Sequence, residues 1–479
     1  MRRILAVGPV PVVVLALVCG GAWGAEASEA GAPEGLAKAV AAMRKIDPAS
    51  LSEEQQKAKA KELDEAWKTL VGAGPAGAAA LKAELKALDA AKEKDDFFRL
   101  GACAVLWQVG KLDEAGTIAA VWLGDVALPA NYHYVFFVAL DAARTQDPRA
   151  LPMLTACLKD KEGSAHITVH VMDVTWPLTH AFLWGAFGSK GLPALAQVLD
   201  TSKDGTAVAS AALLLAQAQY LPALEKIRNL ARKGKGVARG TAVRCLGIYG
   251  HPDDFAFLVA GLKAQAPEEA MDFAFALYEY EDLRAAPALA LLLASEDAAL
   301  RSEVLGALAY LPTPEGLEAL HAYAAAPKDE KEGQRAAAAV AGLLKAAGLG
   351  LTWETFAAKS PDEKKATVAA LVAGYAEAYV LRPDDRRLTH EELLKAAEQW
   401  KKNGRITGGD YAWVEDRHVL AASTPEDIDL LLDVKAKVCL RVSDECLPEL
   451  RTLDKLVSRL GRSRYRKVVG ITEKVEPAK

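Results

Sequence analysis

His166, His170 and His180, with Asp173 between them, are the residues of this chain most suited to chemistry. Histidines four apart share a helix face, and neutral imidazoles so placed can bind zinc. The stretch from His166 to His170 lacks the glutamate that follows the first histidine of metalloprotease helices. Its β-branched residues Ile167, Thr168 and Val169 also weaken the helix such a site needs. A hydrogen-bond partner for each imidazole is a lesser demand than three nitrogens converging on one ion. The expectation is therefore three dispersed histidines and no resident metal or cofactor; a metal-assisted enzyme built on His166, His170 and His180 is the alternative.

Other candidates are weaker. Gly234-Lys235-Gly236 resembles a phosphate loop but follows a helical pattern instead of a strand, so the geometry that cradles a phosphate is missing. Asp384 to Glu392 has the tail of a calcium loop, with Leu381 and Pro383 where carboxylates should stand. No Gly-x-Ser-x-Gly elbow occurs. Two features suit binding. Trp107, Trp122, Trp176 and Trp184, with Tyr132, Tyr134, Phe136 and Phe137 among them, fill a core or line an aromatic groove for peptide or glycan. Arg459, Arg462, Arg464, Arg466 and Lys467, with Tyr465, form either a solvated face or a surface for an anionic partner.

The elements that must position these residues are helical. The chain has 479 residues, 51% of them hydrophobic, and alanine and leucine outweigh runs of Val, Ile and Thr. A formal charge of −5 gives no general footprint for nucleic acid. Arg2 and Arg3 precede an apolar run from Ile4 to Cys19 and then small residues, the order of a secretory signal peptide over 1–27. Cleavage after Gly24 or after Ala27 fits equally, with an uncleaved anchor as the alternative. A lipoprotein reading through Cys19 meets Val18 where a small residue is required. No later stretch is long and uncharged enough to span a bilayer, so the expected location is periplasmic or extracellular. There Cys439 and Cys446, flanking a break between helices, could pair, with two free thiols as the alternative, since sequence does not fix their Cα separation; Cys103, Cys157 and Cys245 sit in apolar helical patterns as core residues.

A period organises the middle of the chain. Leu246, Leu277 and Leu308 are 31 residues apart, as are Leu258, Leu289 and Leu320, each 12 residues after its counterpart. One period back stand Leu215 and Ile227; one forward, Ala339 and Leu351. Each unit reads as two helices. Ala238, Ala242, Cys245, Leu246 and Tyr249 recur at helical spacing, as do Leu300, Val304, Ala307, Leu308 and Leu311. Gly250 with Pro252, then Pro312 with Pro314, break the chain between helices. The second helices carry Leu258 and Leu262, then Leu289 and Leu293. A hairpin this thin cannot bury both faces, and its neighbours must supply the missing wall.

On these residues the chain resembles the HEAT-like repeat proteins. Val237 to Ala264, with Ala238-Arg239, Leu246-Gly247, Gly250-His251-Pro252-Asp253 and Leu258, is similar to the short HEAT repeats also found in phycobilisome lyases. The unit from Ala299 is a second match, and Leu151-Pro152, Leu192-Pro193 and Leu221-Pro222 echo one second-helix motif. The resemblance covers residues 97–348 and implies a protein-binding scaffold.

The predicted fold is all-α, an α-solenoid of HEAT-like hairpins with a small helical C-terminal domain or cap. Its parts are a signal peptide (1–27), an N-terminal helical segment (28–96), the repeats (97–348), a helical extension (349–379), a C-terminal helical domain (380–470) and a tail (471–479). Capping boxes are predicted at Ser52 and Thr389, an apolar stripe at Ala58, Leu63, Trp67 and Leu70, a break over Gly72 to Gly77 and a new helix from Ala80. Late helices are predicted over Leu430, Leu431, Val434 and Val438, and over Leu447, Leu450, Leu453, Leu456 and Leu460. The predicted function is non-catalytic: an exported scaffold that presents its surface to another protein. An anionic or glycan component of the cell envelope is a further candidate partner, nucleic acid is not, and a glycan-binding protein is a further reading.

Overall fold

In this computed structural model the described residues are 33–44, 52–93, 184–263, 266–346, 351–377, 388–403, 416–439 and 446–465, with scattered positions from 95 to 158. Among them every regular element is a helix, and the fold class is all-α. None of these helices is long and apolar enough to cross a membrane. The contacts divide the chain into two compact units, with the boundary after Ala194.

The first unit contains α1 (Pro33–Ala42), α2 (Glu53–Gly72) and α3 (Pro75–Ala91). Ser52 caps α2 as predicted: its hydroxyl accepts from Gln55 N, and its own N–H donates to Gln55 Oε1 at 2.9 Å. Leu63, Trp67 and Leu70 are buried, but Ala58 is exposed. Five residues from Leu63, Ala58 lies well round the helix from that stripe, and Ala66 completes it instead. The break is also shorter than predicted. Only Ala73 and Gly74 separate the helices, Gly74 taking a positive φ of 51°. Gly77 lies inside α3, where any Cβ would collide with the carbonyl of Leu70. That glycine serves close packing, not chain breaking.

The boundary falls inside α4 (Leu192–Thr201), and the second unit goes on with α5 (Gly205–Gln217), α6 (Leu224–Lys233), α7 (Gly236–Tyr249), α8 (Phe255–Gly261), α9 (Pro267–Tyr280), α10 (Ala286–Ala290), α11 (Ala298–Tyr310), α12 (Pro314–Ala325) and α13 (Glu330–Ala346). The starts of α5, α7, α9 and α11, at residues 205, 236, 267 and 298, are 31 apart. Short 3-10 turns begin at 221, 252 and 283, and α12 begins at 314, again 31 apart. Each of α5, α7, α9 and α11 packs on the next helix of that series, and α11 on α13. The second helices fill the seam: α6 lies on α7, α8 on α9 and α10 on α12.

The side chains follow the same period. Leu246, Leu277, Leu308, Leu258, Leu289 and Leu320 are all 0% exposed, as are Leu215 and Ile227 one period earlier. The forward extrapolation slips. Ala339 is half-exposed and Val340 is buried in its place, because α13 begins 32 residues after α11. Asp204 and Asp297 cap α5 and α11 with their carboxylates, while the equivalent Lys235 and Ala266 offer no side-chain cap. Cys245 is fully buried, and burial pushes its thiol far above the usual range, as suits a core residue.

Beyond the period lie α14 (Trp353–Ala357), α15 (Pro361–Glu377), α16 (His390–Asn403), α17 (Asp416–Ala422), α18 (Ile428–Cys439) and α19 (Cys446–Ser463). The predicted box at Thr389 is present, Thr389 N donating to Glu392 Oε2 at 3.0 Å and Glu392 N to Thr389 Oγ1 at 3.2 Å. Leu431, Val434 and Val438 are buried while Leu430 is half-exposed; Leu450, Leu453, Leu456 and Leu460 are buried. Cys439 is buried, and the side chain of Cys446 lies outside the described residues, as does the predicted linker at 381–387.

Candidate functional site

Where each first helix of a repeat ends, the chain must reverse within a few residues. Gln219, Gly250 and Glu281 do this, 31 apart, all in the left-handed region with φ of 53°, 65° and 56°. Glycine takes that conformation without penalty, and Gly250 is the expected choice. A side chain there costs on the order of 1 kcal/mol. Gln219 and Glu281 carry that cost although both side chains are buried. What they do with their polar atoms therefore matters.

Gln219 Nε2 donates to the carbonyl of Ile248 at 2.7 Å, tying the first turn to the next unit. Tyrosines make the same tie backwards. Tyr249 OH donates to Tyr220 O at 2.9 Å, and Tyr280 OH to His251 O at 3.1 Å, one period on. In the following unit Leu311 takes the periodic position; Tyr310, one residue earlier, donates its hydroxyl to Glu281 Oε1 at 2.8 Å. These ties form one polar edge along the helix C-termini, which carry partial negative charge.

α19 lies on this edge, packed against α5 and α7 and against α17. Its arginines face the turns. Arg462 Nη1 donates to the carbonyl of Glu279 at 2.8 Å, and Nη2 lies 3.1 Å from Glu281 Oε2. Arg459 Nη2 is 3.8 Å from Glu281 Oε1 and 3.4 Å from the hydroxyl of Tyr310. Arg464 reaches Gln219 O at 3.4 Å, and the Tyr465 ring sits edge-on to His251 at 4.5 Å. α19 and the two residues after it thus meet all three turns. Gly461 permits the approach: a Cβ there would run into the side chain of Gln219. The basic run read as a solvated face or a surface for an anionic partner is, at Arg459 and Arg462, neither exposed nor waiting. Both are 2% exposed, and their anion is Glu281 of the same chain.

The electrostatics reflect this burial. Burial holds the Glu279 carboxyl above the usual carboxylate range, with Arg462 opposing it. The Tyr310 phenol is pushed far up by burial and then by Glu281. Tyr278, at a ring-centroid distance of 5.0 Å from Tyr310, is raised by burial and by Glu279, Glu281 and Glu303. The interface is incompletely satisfied. Gln219 Oε1 and Arg462 Nε are buried without hydrogen-bond partners among the described residues.

Of the residues singled out by sequence, His166, Asp173, His170 and His180 lie outside the described residues, as do Trp107, Trp122, Tyr132, Tyr134, Phe136, Phe137, Trp176, Arg466 and Lys467. Trp184 is described and buried, tilted against Phe187 at 6.4 Å, which fits core filling. Gly234-Lys235-Gly236 forms the junction between α6 and α7. Among the described residues no three His, Cys, Asp or Glu side chains are placed to hold a metal ion. Sequence reasoning passed over Gln219, Glu281 and Tyr280 and read Tyr249 only as a residue at helical spacing, although the 31-residue step that links the leucines also links Gln219 to Glu281 through Gly250, and Tyr249 to Tyr280. No family model and no curated protein sequence matches this chain.

Proposed function

We propose that this chain is an exported, HEAT-like α-solenoid scaffold that binds another protein and performs no chemistry of its own. The observation that supports it best is the shared step of 31 residues in helix starts, left-handed turns and fully buried leucines. A unit that buries its leucines only between neighbours is the building block of a stack, and stacks present long surfaces suited to macromolecular partners. Export rests on the charged, apolar, small-residue order of 1–27. Affinity capture from the native envelope, with excess untagged chain as competitor, tests the reading. One protein retained saturably and displaced by the competitor is the expected outcome. Retention that the competitor cannot displace, or of no protein at all, would overturn it.

A further inference from the structure

α19 is joined to the repeats differently from how the repeats are joined to one another. Between units the contacts are buried leucines and alanines, with a Cβ on Gly247 meeting the backbone of Ala276, and polar ties that are answered, as where all three guanidinium nitrogens of Arg228 find acceptors on Asp254 and Glu225. Between α19 and the turn edge they include guanidinium groups set on carbonyls, a carboxylate and a phenol. Arginines three apart on one helix, Arg459 and Arg462, match a receiving surface made of Glu281, the Glu279 carbonyl and the Tyr310 hydroxyl. Glu281 on that surface and Gln219 beside it hold strained backbone conformations where Gly250 shows that glycine would serve. Buried ion pairs contribute little net stability and are better attested as determinants of register and as switches. Gln219 Oε1 and Arg462 Nε also remain unpaired within the contact. An occupant held this way has part of its binding in charge matching, beside its buried Leu453, Leu456 and Leu460, and leaves polar atoms unanswered, so another occupant of like chemistry can compete.

We propose that the turn edge of the repeats is a recognition surface for an amphipathic helix bearing arginines three residues apart, and that α19 is its built-in, displaceable occupant. The partner is a helix of another protein presenting that pair, read by Glu281 and Tyr310 and admitted beside Gln219 only if a small residue stands where Gly461 does. The proposal rests on the scaffold reading and narrows it to one surface.

The test uses the full chain and a fluorescent synthetic peptide of residues 446–465. Two variants unseat α19 by different means: Gly461→Val, through the collision with Gln219, and the double variant Arg459→Glu/Arg462→Glu, through charge. Hydrogen exchange follows α19, α7 and α9. Exchange should rise across 446–463 in both variants while α7 and α9 keep their protection. The peptide should bind both variants more tightly than the parent chain, by about tenfold where α19 covers the edge nine-tenths of the time. A peptide with both arginines reversed should not bind, and adding Glu281→Gln to the Gly461→Val chain should abolish binding. Loss of protection in α7 and α9 in both variants would overturn the proposal, since α19 would then be part of one cooperative core. So would equal binding to parent and variants, or equal binding of the reversed peptide. Any of these failures leaves envelope capture of a partner at another surface intact, so the two readings fail separately.

Discussion

Leu277→Ala probes the packing between units most sharply. Leu277 is 0% exposed and sits on α9, between α7 and α11. The substitution removes three carbons, and at about 0.8 kcal/mol per buried methylene the transfer part alone is about 2.4 kcal/mol. The void adds to this according to how far the walls can close. They cannot close far here, because α7 and α9 already meet backbone to glycine at Gly247 and Ala276. The expected loss is about 3–4 kcal/mol. A single midpoint would misreport it, since long repeat arrays lose two-state cooperativity. Native-state hydrogen exchange on the full chain resolves it, with amides of α7, α9 and α11 exchanging about a hundredfold faster or more. Leu291→Ala is the control, since Leu291 is 76% exposed and its removal should cost within about 0.5 kcal/mol. If the two substitutions have equal effects, or if Leu277→Ala costs under about 1 kcal/mol, the leucines are not the seam between units.

Gly247→Ala should destabilise by about 1–3 kcal/mol through overpacking against the Ala276 carbonyl, read as faster native-state hydrogen exchange in α7 and α9. Arg228→Ala should cost about 3–5 kcal/mol by stranding Asp254, which is 0% exposed and accepts from the guanidinium at 2.9 Å, whereas replacing both residues with apolar ones should restore much of the loss. The Glu332 carboxyl is held below the usual range chiefly by its hydrogen bond from Arg301 at 2.9 Å. Its contribution is therefore present above the unfolded carboxylate pKa and lost as pH falls through the lower folded value. Thermal melts should show the parent chain losing more on acidification than Glu332→Gln; equal losses would contradict that assignment. N-terminal sequencing of exported protein should begin at Ala25 or Ser28, and an intact Met1 in a membrane fraction would contradict export.

Much of the helical framework was legible because packing between units leaves a periodic trace. Leu246, Leu277 and Leu308 occupy the same point in three units, so one step in sequence equals one step in space. Capping boxes at Ser52 and Thr389 were legible for the local reason that both partners lie within one turn. The edge was not, because its chemistry is split between one residue per unit and a helix distant in sequence. Arg462 and Glu281 are 181 residues apart, and nothing local says that a basic run meets a carboxylate of its own chain. Gln219 and Glu281 concealed the turn, since only Gly250 carries the residue type that signals a left-handed cap. Gly77 misled in the opposite sense: a glycine selected for close packing looks in sequence like one selected for a turn.

The most direct test of binding without chemistry is metal stoichiometry on protein purified from its native cells, measured beside partner capture in the parent chain and in His170→Ala. The scaffold account predicts no stoichiometric metal in either protein and equal capture by both. One zinc per chain, lost in His170→Ala together with a measurable catalytic activity, would contradict it.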